Sequence, residues 1–393
     1  MRKVLFFLSF FQIFFLQAQE YVHQVLILNE GYYDYTAQQI VEPVTVGTYN
    51  PDTELYTEVI TIDSARFASD IIIDDNFFYV AADNKILKYD LDTYTLLAQQ
   101  IVQGARHLVI NNDKLFVSRG DYDPNTFGPV LFNSYLQVYD KQTLSFIQEF
   151  DTLSGPKWST QNMVIGGDSL YIAINNAFAF GNEQGMIGVL DLNNMSYVNE
   201  IDLGTDGKNP DNMMIDGGKI YTVNNKDWSG MSISEHDVSA STTITTNMAL
   251  VSTGCGTSCL RGGKVTYQIS GDTDLYEWDG TVSNAVGVSN NFYDLAIDKV
   301  NNYLYASSTD FFSYGEIHIY DQDNILLGTF PCGISPGSIV FDKRMVAGIE
   351  DIALYENDSN QLYDLLGRSV TSSKALQEGM IYIKNNKKFL FVK

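Results

Sequence analysis

The chain has 393 residues, 48 acidic and 24 basic, for a net charge of −24, and 45% of it is hydrophobic. That much apolar material supports a large packed core and excludes a disordered polyanion. An acidic surface repels nucleic acid and anionic membrane, which excludes both as partners.

The first element is Met1-Arg2-Lys3, an apolar run from Val4 to Leu16, and Gln17-Ala18-Gln19. A basic start, a short apolar core and a small residue at the exit predict a signal peptide over residues 1–18, cleaved near Ala18 or Gln19. The run falls short of the ~20 residues that span a membrane, and no other stretch is a transmembrane candidate. The expected location is therefore outside the cell or on its outer surface. Export permits a disulfide, and Cys255 and Cys259 are the candidate pair, with Cys332 left free. No His stands near the two cysteines, so no zinc site is expected.

Residues 24–342 carry a repeat. Its clearest copy is Tyr89-Asp90-Leu91-Asp92-Thr93, entered by a strand from Lys85 and left by a strand from Leu96 to Ile101. The Asp side chain accepts from a backbone N–H two residues on, which favours a turn. Other copies open at Asn50, Asp140, Asp191, Asp237, Asp279 and Asp321, with spacings of 40, 50, 51, 46, 42 and 42 residues. A period of 40 to 50 with several strands per copy is the mark of propeller blades. Each full copy begins with an apolar strand, as at Asp70–Asp74, and a second of the form Phe78-Tyr79-Val80. The sixth copy is the weakest, with Lys264–Gln268 and Leu275–Trp278 fitting loosely.

The two ends of this region complete each other. Gln24–Leu28 reads as a second strand with no first, and Ser335–Asp342 reads as a loop plus a first strand. The expectation is an all-β, seven-bladed β-propeller over 24–342 whose terminal segments share one blade, which removes the open sheet edges. From Glu20 to Asp342 there are 42 acidic and 14 basic residues, against 6 and 8 from Lys343 to Lys393, and the tail, residues 343–393, reads as a separate unit, which on its residues alone is an eighth blade or a small β appendage.

That tail holds Tyr363-Asp364-Leu365-Leu366-Gly367-Arg368, then Gly379-Met380-Ile381-Tyr382-Ile383, then Lys387-Lys388-Phe389-Leu390-Phe391-Val392-Lys393. It resembles the C-terminal sorting domain of type IX secretion substrates, whose signature is these three pieces in this order. The resemblance implies a small β-sandwich over 343–393, the type IX secretion machinery as a partner, removal of the tail, and release or attachment at the surface.

The body resembles a second family. Leu28-Asn29-Glu30-Gly31, the Tyr49-Asn50-Pro51-Asp52-Thr53 turn and the repeated second strands are similar to the BtuG-like, YncE-related surface propellers (DUF5074-type). Characterised members capture cobalamin beside an outer-membrane TonB-dependent transporter. The resemblance thus implies corrinoid capture and such a transporter as a partner. Members are commonly lipoproteins; this chain has no cysteine before Cys255 and carries the sorting tail instead.

Loops carry function while blades hold them rigid. The loops expected on one face collect Tyr32, Tyr122, Trp158, Trp228 and Phe311 with Arg66, Arg106, Arg119, Lys157 and Lys208. Aromatic walls with a few placed polar groups describe a ligand site; packing of cations on rings between blades is the competing account. The expected pocket is walled by those five aromatics over the central axis, with Arg66, Arg106 and Lys157 supplying polar contacts. His107 falls on the same face, as a core histidine or a ligand. Asp121, Asp123 and Asn125 have calcium-loop spacing, but Pro124 intrudes and no bidentate Glu follows, so a solvated turn is expected. No nucleophile or phosphate-loop motif is present. The function expected is capture of a small molecule, and the alternatives are a surface adhesin or protein/glycan scaffold, and a metal-dependent propeller hydrolase.

Overall fold

The seven repeated turns are built by the side chains that open them. Asp90 Oδ1 accepts from Asp92 N at 3.1 Å and from Thr93 N and Oγ1 at 2.8 Å each. Asn50, Asp140, Asp191, Asp237, Asp279 and Asp321 accept in the same way from residues two to four further on. These donors favour the carboxylate. They hold Asp90 below its usual pKa, chiefly through Thr93 N–H, and Asp279 near 2, chiefly through Val282 N–H.

The computed structural model describes residues 19–226, 230–248, 257–269 and 272–346, and in the tail 362–364, 368–370, 381–384 and 387–390. The signal peptide expected over 1–18 lies outside them. The chain divides into two compact units, 22–343 and the pair of ends 1–21 with 344–393.

Among the described residues the first unit is nearly all β, with one short 3-10 turn at Thr205–Gly207. It holds seven four-stranded sheets. Sheet 1 orders Pro336–Val346, Gln19–Asn29, Val44–Asn50 and Leu55–Ile62, so the last strand of the body lies beside the first. Sheets 2 to 7 each use four consecutive strands, and begin at Ala68–Asp74, Ala105–Asn111, Thr160–Gly166, Pro210–Asp216, Thr257–Arg261 and Phe292–Asp298. Sheet 6 departs from its expected reading. Lys264–Gln268 is its second strand, and the first is Thr257–Arg261, whose register pairs Cys259 with Thr266. That strand lacks the apolar alternation of its counterparts, so the sequence pattern passed it over.

One apolar cluster lies between each pair of neighbouring sheets. Leu26, Leu28, Val44 and Val46 of sheet 1 meet Ile71, Phe78 and Val80 of sheet 2. At the closing pair, Val25, Ile27 and Tyr49 of sheet 1 meet Tyr305, Ile317 and Phe330 of sheet 7, with Tyr49 stacked on Phe330 at 4.0 Å between centroids. The inner strands of sheets 2 to 7 pack on one another in order. Polar side chains clasp these inner strands, as where Asp70 Oδ2 accepts from Leu108 N at 2.7 Å and Asn162 Oδ1 from Asn212 N at 2.9 Å.

The Leu28-Asn29-Glu30-Gly31 motif is a closure device. Glu30 N and Gly31 N donate to the carbonyls of Ser335 and Ile334, at 2.8 and 3.1 Å. Asn29 Nδ2 donates to Thr45 Oγ1 and Tyr56 Oη at 3.0 and 2.9 Å. Gly31 has φ 75°, and a Cβ there would stand 2.5 Å from the Glu42 carbonyl oxygen, so only glycine fits.

In the second unit, Leu362–Asp364, Ser369–Val370, Ile381–Lys384 and Lys387–Leu390 form one four-stranded sheet. Arg368 donates from N and Nε to Asp364 Oδ1 and Oδ2 at 2.9 and 2.7 Å, so the Asp and Arg of the tail signature clamp their own turn.

Candidate functional site

The inner strands share an irregularity that aims side chains. A β-bulge interrupts pairing between Ala105 and Leu108, between Thr160 and Met163, and between Asp211 and Met214. Bulges bend a strand and redirect its side chains. Arg106 and Gln161 lie within two of these bulges and Asp211 stands at the edge of the third, and all three face one cavity.

That cavity has a volume of about 490 Å³, within the usual range for small-molecule sites. Its aromatic walls are Tyr35, Tyr122, Phe127, Phe178 and Phe180, and its polar ones include Arg106, Gln161, Asn175, Asn209, Asp211 and Asn225. Tyr122 lies between Phe127 and Phe178, with centroid separations of 6.4 and 6.0 Å, and is 6.2 Å from Tyr35. The Arg106 guanidinium lies 5.2 Å above the Phe178 ring and its Nε donates to Gln161 Oε1 at 3.0 Å. Asn209 is 1% exposed, and its Nδ2 has no acceptor among the described residues. A buried donor without a partner costs roughly 1–3 kcal/mol.

The expected site residues divide. Arg106 and Tyr122 line the cavity. Arg66 stands behind Tyr122, 5.7 Å from its ring, with both ends of its fork on Asp83 at 2.9 and 2.5 Å and a further contact to Asp121 at 3.4 Å. Those carboxylates, Asp83 first, raise its pKa. Tyr32 and Phe311 belong to other aromatic pairs, Tyr32 with Phe312 at 5.3 Å and Phe311 with Tyr293 at 5.0 Å. Lys157 is exposed and Trp158 half-buried in the segment leading into sheet 4, apart from the cavity walls. Trp228 lies outside the described residues. Arg119 is structural: it donates to the carbonyls of Gln103 and Ser134, and burial lowers its pKa.

Other candidates also find partners. His107 Nδ1 is 3.5 Å from Asp70 Oδ2 in the ring of inner strands. Asp123 Oδ1 accepts from Asn125 N and Thr126 N at 2.8 and 3.2 Å, while Asp121 faces Arg66. Among the described residues no group of three or more His, Cys, Asp and Glu is placed to hold a metal ion. Cys259 is a buried free thiol whose pKa burial raises, and Cys255 lies outside the described residues.

Across the face, Glu30 accepts from Tyr293 Oη at 2.8 Å. Desolvation pushes Glu30 up to about 7, opposed by the Tyr293 bond and the Arg106 charge. Desolvation likewise raises Asp294 to about 7, opposed by the backbone N–H groups of Leu295 and Ile339.

Sequence reasoning did not select the amides Gln161, Asn175 and Asn209. Their signal was positional: Gln161 occupies the place of Arg106 one blade later, and Asn209 precedes the Pro that opens sheet 5.

The sequence matches no family model and no curated protein. In structure it is similar to dihydro-heme d1 dehydrogenase NirN in complex with DHE, at TM-score 0.51 and 13% identity, over 81% of this chain and 75% of that one. It is also similar to a proposed 6-phosphogluconolactonase from Bacteroides fragilis NCTC 9343, at TM-score 0.56 and 14% identity, over 81% and 98% of the two chains. These neighbours are β-propellers, and the chain has the β-propeller fold.

Proposed function

We propose that the chain is an exported seven-bladed β-propeller that captures a small molecule in the cavity over sheets 3, 4 and 5. The cavity itself carries this reading: aromatic walls surround a few polar groups, one of them Asn209, whose Nδ2 has no acceptor among the described residues. An apolar pocket that strands a buried donor gains on filling both by desolvation and by hydrogen bonding. The seven sheets joined pairwise by apolar clusters support the blade count. NirN, which shares the fold, was solved in complex with DHE, in keeping with a ligand-binding propeller. A corrinoid is the first ligand to test, on the strength of the resemblance to the cobalamin-capturing surface propellers. The proposed carriers of export are the signal peptide and the type IX sorting tail, and a TonB-dependent transporter is the proposed partner.

The test is a thermal-shift screen of corrinoids, haem and glycans, because a ligand of the native state raises its stability by mass action. A saturable shift that Phe178→Ala abolishes supports the reading. If every compound is inert on the parent protein, the reading fails. Fractionation with intact-mass analysis tests export, and a cytoplasmic pool that retains Met1 would reject it.

A further inference from the structure

The polar groups of the cavity are not neutral in what they offer. Gln161 is 7% exposed, and its Oε1 is taken by Arg106 Nε at 3.0 Å. Asn175 is 3% exposed, and its Oδ1 accepts from Ala177 N at 3.3 Å and Ser159 Oγ at 3.5 Å. Each amide has a single oxygen and a single NH₂ group. With the oxygens held by protein donors, the amide orientations are set, and the NH₂ groups of both face no protein acceptor among the described residues. Asn209 Nδ2 is buried in the same condition. The terminal nitrogens of Arg106 also find no protein acceptor among the described residues, its one hydrogen bond being made by Nε. Asp211 is the one carboxylate of the wall among the described residues, and its Oδ1 accepts from Asn212 N at 2.9 Å. The polar side of the cavity therefore presents chiefly N–H donors, one of them cationic, beside the single carboxylate of Asp211, and faces the rings of Tyr122 and Phe178.

We infer that the cavity selects a flat, conjugated ligand whose edge carries oxygen acceptors, a carboxylate above all, read by Arg106, Gln161, Asn175 and Asn209. This rests on the cavity being a ligand site. It runs against the long-range field, because a protein with a net charge of −24 attracts cations to its surface. A preference for an anion is thus a local property of these four side chains. Charge-assisted bonds to a carboxylate are about twice as strong as neutral ones, and leaving a buried donor unpaired penalises the wrong ligand.

Two probes of the same ring system separate the possibilities. Pyrene-1-carboxylate and 1-pyrenemethylammonium are titrated against the parent protein at pH 7 and about 0.15 M salt, where the surface field is screened within ~8 Å. Fluorescence anisotropy reports binding. The carboxylate is expected to bind at least ~10-fold more tightly, a difference of about 1.4 kcal/mol. Gln161→Glu places a carboxylate on Arg106 and is expected to reduce that ratio below about 2-fold, with Asn175→Asp as a second variant should the first not fold. Phe178→Ala weakens both probes by a common factor and locates them in the cavity. Equal binding of the two probes, tighter binding of the ammonium, or an unchanged ratio in both folded acid variants overturns the inference while leaving the ligand site standing. If neither probe binds, the inference falls, and the thermal-shift screen alone decides the ligand site.

Discussion

Two regions of the upper face use similar materials for opposite ends. Where sheets 7 and 1 meet, Glu30 N and Gly31 N bond the backbone of Ser335 and Ile334, Tyr293 bonds Glu30, and Asn29 Nδ2 bonds Thr45 and Tyr56, while Asn29 Oδ1 has no partner among the described residues. Over sheets 3 to 5, Arg106, Gln161, Asn175 and Asn209 keep donors without protein acceptors among the described residues, and the aromatic rings around them enclose space. The closure motif, which resembles a family signature, performs a structural task. The ligand chemistry gathers where the polar groups remain unspent. A polar side chain at the mouth of a propeller is thus interpretable only once its partners are known.

The comparison breaks most severely at Gly31. Gly31→Ala forces a Cβ toward the Glu42 carbonyl at a backbone φ of 75°, and a loss of about 2–4 kcal/mol in urea unfolding is expected. The cavity walls contributed by sheets 3 to 5 lie outside the altered turn. A loss below ~0.5 kcal/mol would show that this closure tolerates relaxation.

The cavity side responds in the reverse sense. Phe178→Ala removes the ring beneath Arg106 and beside Tyr122. Affinity for the best screened ligand should fall by about 2 kcal/mol, measured by calorimetry, with a much smaller change in stability than at Gly31.

Protonation sharpens the contrast further. Glu30 and Asp294 are raised to about 7 by desolvation, so the folded state binds protons that the unfolded chain releases near 4. Their contribution is full below about pH 4 and is lost as pH rises through 7. Stability should therefore decline from pH 5 to pH 8, by about 1 kcal/mol once the water at this half-buried site is allowed for. The turn aspartates act oppositely, with depressed values such as that of Asp279 near 2, and their contribution is lost only below the ordinary carboxylate range. Glu30→Gln should flatten the decline seen in thermal melts between pH 5 and 8, and an unchanged slope would exclude Glu30 as its source.

The smallest effect belongs to Lys157, which is exposed and is not one of the cavity walls. Lys157→Ala should alter ligand affinity by less than about twofold, as surface changes away from a site do. A larger loss would extend the binding surface beyond the cavity walls.

Much of the architecture was legible in the chain. An Asp or Asn side chain that accepts from residues two to four ahead is a local event, so the seven turns could be placed without tertiary knowledge. The strand from Gln24 and the loop-plus-strand from Ser335 likewise announced a shared sheet. The strand Thr257–Arg261 was not legible, because it lacks the apolar alternation of its counterparts.

The sequence by itself determined the turns, most strands and the face on which loops would gather, because these depend on residues a few positions apart. Tertiary structure decided which cation is free. Arg66 stands just before one inner strand and Arg106 just inside the next, yet Arg66 meets Asp83 and Asp121, while among the described residues Arg106 meets the oxygen of Gln161 and the face of Phe178. Asp83 comes from the same blade, while Asp121, Gln161 and Phe178 lie 55 to 72 residues away and arrive from other blades. A charge is neutralised or available according to what lies within a few ångströms of it, and in a ring of sheets that distance is set by how neighbouring blades pack.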